Sequence, residues 1–150
     1  LVTSGDGAAR DDFLGNAWAR FPQADVLLVD VPVQGEPAPA LIARAIAHLD
    51  RRGDVDVIVV ARGGGSLEDL MAFNSEPVCR AIAAAATPVV SAVGHERDVT
   101  LCDLVADVRS SAPSAAAAAV LPSREALDVR LADARAAVRR GLLRARAESE

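Results

Sequence analysis

The sequence predicts an α/β fold: an open, parallel, Rossmann-like β-sheet with flanking helices, followed by the start of a long C-terminal helix. Short apolar stretches alternate with stretches of helical periodicity along most of the 150 residues, which is typical of βαβ units and a parallel sheet. Glycine-rich or polar loops follow the apolar stretches, at the positions where open parallel sheets bind their ligands. A composition of 51% hydrophobic and 25% charged residues is typical of a globular domain.

The strands are predicted from short apolar runs. In chain order they cover residues 1–2, 26–31, 55–61 and 88–93. The first of these is read as the truncated end of a strand. The run at 55–61 is the strongest, because it is almost entirely apolar and a glycine-rich loop follows it.

The helices are predicted from three- and four-residue spacing. Residues 8–21 carry an apolar face of Leu14, Trp18 and Phe21, and residues 39–50 carry a second apolar face at Ile42, Ala45, Ile46 and Leu49. Another helix begins at Ser66. Beyond residue 98 the chain is predicted to be helical, with a break at residues 110–113.

The C-terminal part is predicted to be one long helix from Ser123. Its apolar residues repeat in steps of four and three, at Leu127, Leu131, Ala134 and Val138. This seam fits the start of a coiled coil and equally fits a helix that docks on the core. We therefore divide the chain into an α/β core at residues 1–121 and the start of a helical or coiled-coil segment at 122–150.

The charged residues exclude several kinds of site. Every cationic side chain is an arginine, so a lysine Schiff base and a P-loop lysine are both excluded. A net charge of −5 argues against a broad nucleic-acid-binding face.

Cys79 and Cys102 are far apart and form no CxxC pair, so we expect reduced thiols and a cytoplasmic protein. No apolar run is long enough to cross a membrane.

The segment Arg62-Gly63-Gly64-Gly65-Ser66 is the first candidate site, because it follows a predicted strand and opens a predicted helix. Glycine amides and a helix N-terminus form a pocket for an anion, and an arginine adds a bidentate phosphate donor. Ser66 can cap the helix, with Asp69 at the reciprocal position. The alternative interpretation is an ordinary glycine-rich turn with a helix cap.

The segment from Gly94 to Asp98 is the second candidate site. His95 can exchange a proton near neutral pH, and Asp98 is close enough in sequence to orient its imidazole or to contact a metal. A His–Asp cap at a helix start explains the same spacing equally well. Asp12, beside Asp11, also suits the start of a helix, where carboxylates complement the helix dipole. Asp103 and Asp107 share a helical face that either holds Mg²⁺ through water or is simply solvated. His48 is expected on the surface.

Taken together, these motifs make the chain resemble the large subunit of exonuclease VII. The matching runs include residues 62–70 with Ala72-Phe73-Asn74, and residues 88–96 leading to Asp98. Shorter matches at residues 3–4, 7–9, 32–35 and 112–117 occur in family order. The resemblance covers nearly the whole chain.

The resemblance implies digestion of single-stranded DNA from both ends to short oligonucleotides, and a partner in the exonuclease VII small subunit. It also implies an N-terminal OB-fold and a C-terminal coiled coil beside this domain. By matching motifs it assigns catalytic roles to four residues, namely Asp12, Arg62, His95 and Asp98. Phosphate binding falls to Gly63, Gly64, Gly65 and Ser66.

Some points stay open at this level. Asp12 and Asp98 are the candidate metal ligands, and the sequence allows both Mg²⁺-dependent and metal-independent activity. Asp6, Arg97 and Ala118 depart from the family pattern. Two alternatives to a nuclease are a non-catalytic anion- or nucleotide-binding domain and an assembly module whose heptad helix recruits a partner.

Overall fold

A computed structural model describes residues 1–64, 68–94 and 98–147. Within them the fold is a five-stranded sheet, all parallel, with helices on both faces. This confirms the predicted fold class. The strands are β1 (Val2–Thr3), β2 (Val29–Asp30), β3 (Ile58–Ala61), β4 (Val89–Ala92) and β5 (Val108–Arg109).

Six α-helices and one 3-10 helix are described. The α-helices are α1 (Ala8–Arg20), α2 (Ala38–Arg52), α3 (Glu76–Ala84), α4 (Leu101–Val105), α5 (Pro113–Val120) and α6 (Arg124–Ala147). The segment predicted as a helix from Ser66 is instead a 3-10 helix, Glu68–Asn74, which is followed by α3. Pro77 near the start of α3 suits a new helix, because proline is tolerated only in the first turn.

The strand order is β2-β1-β3-β4-β5, so successive strands are added on one side of β1 and then on the other, and the order reverses between β1 and β3. The long pairing is between β3 and β4, where Ile58 lies opposite Val89 and Ala61 lies opposite Ala92. Because all strands are parallel, their carboxyl ends meet at one edge. The loops predicted to carry chemistry therefore leave the sheet at that edge, on both sides of the change in direction.

Alternating side chains of the strands build two cores, one on each face of the sheet. Ile58 and Val60 pack with α2 and α3, whereas Val59 and Ala61 pack with α1 and α5. The predicted stripe on α2 is confirmed, since Ile42, Ala45, Ile46 and Leu49 are all buried. Gly53 ends α2 in the left-handed conformation that favours glycine.

The predicted apolar face of α1 is wrong. The buried residues are Ala9, Phe13 and Ala17, whereas the side chain of Trp18 is 48% exposed. The alanines matter because α1 packs closely against α5, which presents Ala116 and Ala117. Close helix packing selects small residues at Ala9 and Ala17, and Trp18 is left on the outer face.

The prediction beyond residue 98 missed β5. This strand has only two residues, both exposed, and it lies at the edge of the sheet beside β4. The helix α4 that precedes it is only five residues long. A two-residue edge strand gives no apolar period that the sequence could reveal.

The C-terminal helix α6 has 24 residues, about 36 Å of helix. Its predicted seam residues Leu127, Leu131, Ala134 and Val138 are all exposed, so the seam does not dock on the core in the described part of the chain. The domain division and the coiled coil stay predictions. None of the described helices is both long and apolar enough to span a bilayer.

Candidate phosphate site at the sheet edge

The candidate site lies where the loops after β1 and β3 separate. Ligands of open α/β sheets bind at such a change of strand direction, outside the carboxyl ends of the strands. At the ends of β1 and β3, two buried polar atoms have no hydrogen-bond partner among the described residues. One is the hydroxyl oxygen of Thr3, the last residue of β1, and the other is Nη1 of Arg62, which follows β3.

Arg62 is held at both its backbone and its side chain. Its amide donates to the carbonyl of Ala92 at 3.2 Å, which extends the β3–β4 pairing by one residue. Its side chain is only 5% exposed, and Nη2 lies 3.1 Å from Oδ2 of Asp69 in the 3-10 helix. Asp69 orients one side of the guanidinium, and Nη1 has no acceptor among the described residues. A buried donor without an acceptor is costly, so this group is suited to a ligand.

Gly63 and Gly64 follow Arg62 at the same edge. Among the described residues outside its own chain neighbours, a Cβ atom added to Gly63 would meet the amide nitrogen of Ala9, at 3.7 Å. Gly63 therefore lies against the first turn of α1, where unpaired helix amides favour an anion. Gly65 and Ser66, the other two predicted phosphate-binding residues, lie outside the described residues, so the Ser66 cap is not described either.

Asp12 joins α1 to α5. Its Oδ2 accepts a hydrogen bond from the amide of Ser114 at 2.9 Å, and Oδ1 accepts from the side chain of Asn16 at 3.1 Å. Ser114 is in the first turn of α5, which begins at Pro113, so the carboxylate satisfies an otherwise unpaired amide there. The contacts give Asp12 a structural task beside the catalytic role that the resemblance implies.

The loop after β4 begins at Gly94, which is closely packed against Asp98 and Asp103. A Cβ atom on Gly94 would overlap the carbonyl oxygen of Asp98 and would lie 2.7 Å from Oδ2 of Asp103. Glycine is therefore required by packing at this position. Asp98 itself is exposed. His95 lies outside the described residues, so the predicted convergence of Arg62, His95, Asp98 and Asp12 on one phosphate stays a prediction.

Asp103 is neither solvated nor on a shared helical face with Asp107. Its buried carboxylate accepts hydrogen bonds from the Ser91 hydroxyl at 2.6 Å, the Thr100 amide at 2.8 Å and the Thr100 hydroxyl at 2.9 Å. Together with Thr100 it forms a capping box at the start of α4. Arg109 lies 3.8 Å away and adds a cation. This network supports the base of the loop after β4.

Asp107 lies beyond the end of α4. Its Oδ2 accepts a hydrogen bond from the amide of Val89 at 2.8 Å, and its own amide donates to the carbonyl of Val89. Its carboxylate therefore secures the start of β4. The hypothesis that Asp103 and Asp107 form one magnesium-binding face is wrong, because the helix ends between them and each carboxylate has its own protein donors.

The same edge carries several other carboxylates. Oδ1 of Asp30, at the end of β2, accepts the Gly5 amide at 2.7 Å. Asp6 accepts a hydrogen bond from the Ser4 hydroxyl, and this bond is the main reason that the pKa of Asp6 is lowered from its usual value. Asp6 is therefore ionised at neutral pH. Across the described ranges, no three His, Cys, Asp or Glu side chains are grouped as a metal site.

Two contributors were missed at the sequence level. Asp69 was interpreted as a helix cap, but it pairs with Arg62 seven residues earlier. Asn74, at the end of the 3-10 helix, accepts the amide of Leu101 at 2.7 Å and so links that helix to α4. Neither contact has a periodic signal, although a carboxylate near a conspicuous arginine could have suggested the first.

Two smaller predictions concern other residues. His48 is exposed, as expected. Cys79 and Cys102 are both free. Burial is the main cause of the raised pKa of the Cys102 thiol, and the neighbouring Cys79 adds to it.

A pocket of about 480 Å³ lies elsewhere, at the amino ends of the strands. It is lined mainly by apolar side chains such as Leu1, Phe13 and Val57, with Asp25 and Arg52 at its polar part. No loop at the carboxyl ends of the strands contributes to it. We therefore assign the candidate site from the unpaired donors and the strand order, and not from the size of this cavity.

Comparison with known proteins gives a consistent result along the chain. The family model described as "Exonuclease VII, large subunit" matches residues 1–150. A protein named exodeoxyribonuclease 7 large subunit from Hahella chejuensis is 58% identical over 124 residues, covering 83% of this chain and 28% of the relative. Proteins of the same name from Moorella thermoacetica and Mycobacterium tuberculosis are 51% and 53% identical, covering 95% and 84% of this chain. The chain spans about a third or less of these relatives, 35% and 30% for the last two.

Proposed function

Because the chain belongs to the exonuclease VII large-subunit family, we propose that it is the catalytic core of an exodeoxyribonuclease. The substrate is single-stranded DNA, which the whole enzyme digests from both ends to short oligonucleotides by hydrolysis of phosphodiester bonds. The observation that carries this proposal is the buried guanidinium of Arg62, whose Nη1 has no protein acceptor among the described residues, beside Gly63 at the sheet edge.

In the proposed mechanism, Arg62 and the amides of residues 63–65 hold and neutralise the scissile phosphate. Preorganised donors of this kind act most strongly on the charge that develops in the transition state, because they need no reorganisation during the reaction. Asp69 positions Arg62 through the 3.1 Å ion pair. Ser66 adds a hydroxyl to the same anion site.

His95 is the proposed general base or acid. A water molecule attacks phosphorus and loses its proton, the P–O bond to the leaving nucleotide breaks, and the leaving oxygen gains a proton. Proton transfer by a positioned histidine typically contributes about 10²- to 10⁴-fold in rate. Asp98, three residues later, orients the imidazole or binds a metal.

Asp12 is proposed to activate water or to bind a metal, as the family resemblance suggests. Both of its carboxylate oxygens accept hydrogen bonds in the described structure, from Ser114 and Asn16. Asp12 is exposed, and each carboxylate oxygen can accept a second hydrogen bond, so these contacts leave room for the substrate water.

The binding of the DNA strand is proposed to rely on surfaces beyond these 150 residues. The chain carries a net charge of −5, whereas nonspecific DNA binding is dominated by cationic contacts to phosphates. The exposed heptad seam of α6 supports a helical partner, which we propose is the exonuclease VII small subunit. The enzyme is placed in the bacterial cytoplasm, where Cys79 and Cys102 stay reduced.

The test uses the full-length large subunit, co-purified with the small subunit. Single-stranded and duplex oligonucleotides carrying a label at either the 5′ or the 3′ end are digested with and without EDTA. We expect digestion of the single strand from both ends and little digestion of the duplex. Arg62→Ala is expected to lower both affinity and turnover, whereas Arg44→Ala, on the exposed face of α2, serves as the matched control.

Equal digestion of single strands and duplex would contradict the proposed substrate. Normal digestion by Arg62→Ala would contradict the proposed phosphate ligand. A protein that binds DNA with unchanged affinity but never cleaves it would favour the alternative of a non-catalytic anion-binding domain.

A further inference from the structure

The first turn of α1 offers unpaired amides beside the candidate site. Gly7 precedes the helix with an extended backbone, φ −83° and ψ 147°, and no side chain caps it. The amide of Arg10 donates to the carbonyl of Gly7, but the amides of Ala8 and Ala9 have no acceptor among the described residues. The helix has 13 residues, so its N-terminus carries the partial positive charge of a full helix dipole.

The glycine at position 63 is not explained by the protein alone. Its φ is not positive, so its backbone does not require glycine. Within the described part of the chain, an added Cβ would contact the amide nitrogen of Ala9 at 3.7 Å, which is an ordinary van der Waals distance. A methyl group would fit here, but it would cover that amide. The missing side chain therefore keeps an approach to the first turn of α1 open.

The adjacent residue supplies an unpaired guanidinium nitrogen. Arg62 is 5% exposed, its Nη1 has no acceptor among the described residues, and its Nη2 is paired with Asp69. The loop after β3 therefore contributes a buried cationic donor and an open glycine, while α1 contributes two amides that have no acceptor among the described residues. These donors lie at the carboxyl ends of the strands, where the strand order favours ligand binding.

We propose that the first turn of α1 forms the second half of the phosphate site, so that the amides of Ala8 and Ala9 bind the same phosphate that Arg62 neutralises. The ligand is a phosphate group of a nucleic-acid strand. Unpaired amides at a helix N-terminus and a buried arginine suit a tetrahedral anion. This inference rests on the proposed function, because it takes the phosphate at Arg62 to be that of the DNA.

Two variants of the full-length protein remove the amides' contribution without breaking the helix. Ala8→Pro deletes one unpaired N–H, and proline is favoured at the first position of a helix, where Ala8 is exposed. Gly63→Ala covers the amide of Ala9 with a methyl group. The matched control is Gly15→Ala, which adds the same methyl group to α1 where no atom of the described residues lies within 4 Å.

The probe is inorganic phosphate, followed by broadening of its ³¹P resonance and by its inhibition of DNA digestion. Ala8→Pro and Gly63→Ala are each expected to weaken phosphate binding roughly tenfold or more, since hydrogen bonds to charged groups are among the stronger ones. Gly15→Ala is expected to bind as the wild type does. The melting temperature of Ala8→Pro is expected to equal that of the wild type or to be slightly higher.

To tell whether the site binds a terminal or an internal phosphate, the affinities of each variant for two oligonucleotides, one with and one without a 5′ phosphate, are compared. A loss of affinity confined to the 5′-phosphorylated strand supports the site as one for the terminal phosphomonoester, and an equal loss for both supports an internal phosphodiester. Wild-type phosphate affinity in both variants would overturn the inference, as would a wild-type protein that binds no phosphate at millimolar concentrations. Failure of the proposed function is separate: the wild type would digest no single-stranded DNA, while the ³¹P measurement could still report the site.

Discussion

Replacing Asp103 by alanine tests whether its network supports the loop after β4. The buried carboxylate accepts three hydrogen bonds, from the hydroxyl of Ser91 and from the amide and hydroxyl of Thr100. Its removal leaves these buried donors unpaired at once, and each unsatisfied buried group costs about 1–3 kcal/mol. Because these costs partly overlap when the site relaxes, Asp103→Ala is expected to lower the free energy of unfolding by about 3–5 kcal/mol, a large share of the ~5–15 kcal/mol of a typical domain.

The assay is urea unfolding of the protein followed by far-ultraviolet circular dichroism, with Ser91→Ala and the double variant measured beside it. Ser91→Ala keeps both Thr100 contacts and is expected to cost about 1–2 kcal/mol. The double variant is expected to cost less than the sum, because the two residues share one hydrogen bond. A loss under about 1 kcal/mol for Asp103→Ala would refute the reasoning, since it would mean that the network contributes little.

Two further predictions concern the same face of the sheet. Burial raises the pKa of the Cys102 thiol, so this thiol stays protonated in the folded protein at a pH where it ionises in the unfolded chain. The free energy of unfolding is therefore unaffected by this thiol below its unfolded pKa. Above about pH 8.5–9 the free energy of unfolding falls, by at most about 1.4 kcal/mol per pH unit. Urea unfolding between neutral and alkaline pH checks this, and Cys102→Ala should flatten the dependence. Gly94→Ala should lower the melting temperature markedly, since its methyl group would overlap the Asp98 carbonyl; a melting temperature equal to that of Gly15→Ala would show that the loop yields freely.

The fold class could be predicted from the sequence because the spacing of apolar residues in helices and strands can be seen in one sequence alone. The burial of Ile42, Ile46 and Leu49 and the apolar run that contains β3 are both local patterns. The wrong face of α1 has a different origin. Its buried surface is set by close packing against the alanines of α5, and a partner helix about 100 residues away leaves no trace in the spacing of α1 itself.

The candidate site was predictable in its loops and less so in its contacts. The glycine-rich segment at Arg62 follows a strand, as expected, because loop composition is a local property. Its pairing with Asp69 depends on how the chain turns between them, and the burial of Asp103 depends on Ser91 in a neighbouring strand. A carboxylate on a short polar segment is usually solvated, so only the tertiary partner distinguishes a structural residue from a surface one.

The most direct test of the central claim separates binding from cleavage at His95. The assembled enzyme and its His95→Ala variant are compared at one fixed salt concentration, with binding to single-stranded DNA followed by fluorescence anisotropy and cleavage followed on gels under single-turnover conditions. If this domain hydrolyses DNA with a histidine as its proton carrier, the variant should bind nearly normally and cleave about 10²- to 10⁴-fold more slowly. Cleavage at the wild-type rate would contradict the account, because His95 would then be a structural residue and the chemistry would lie elsewhere.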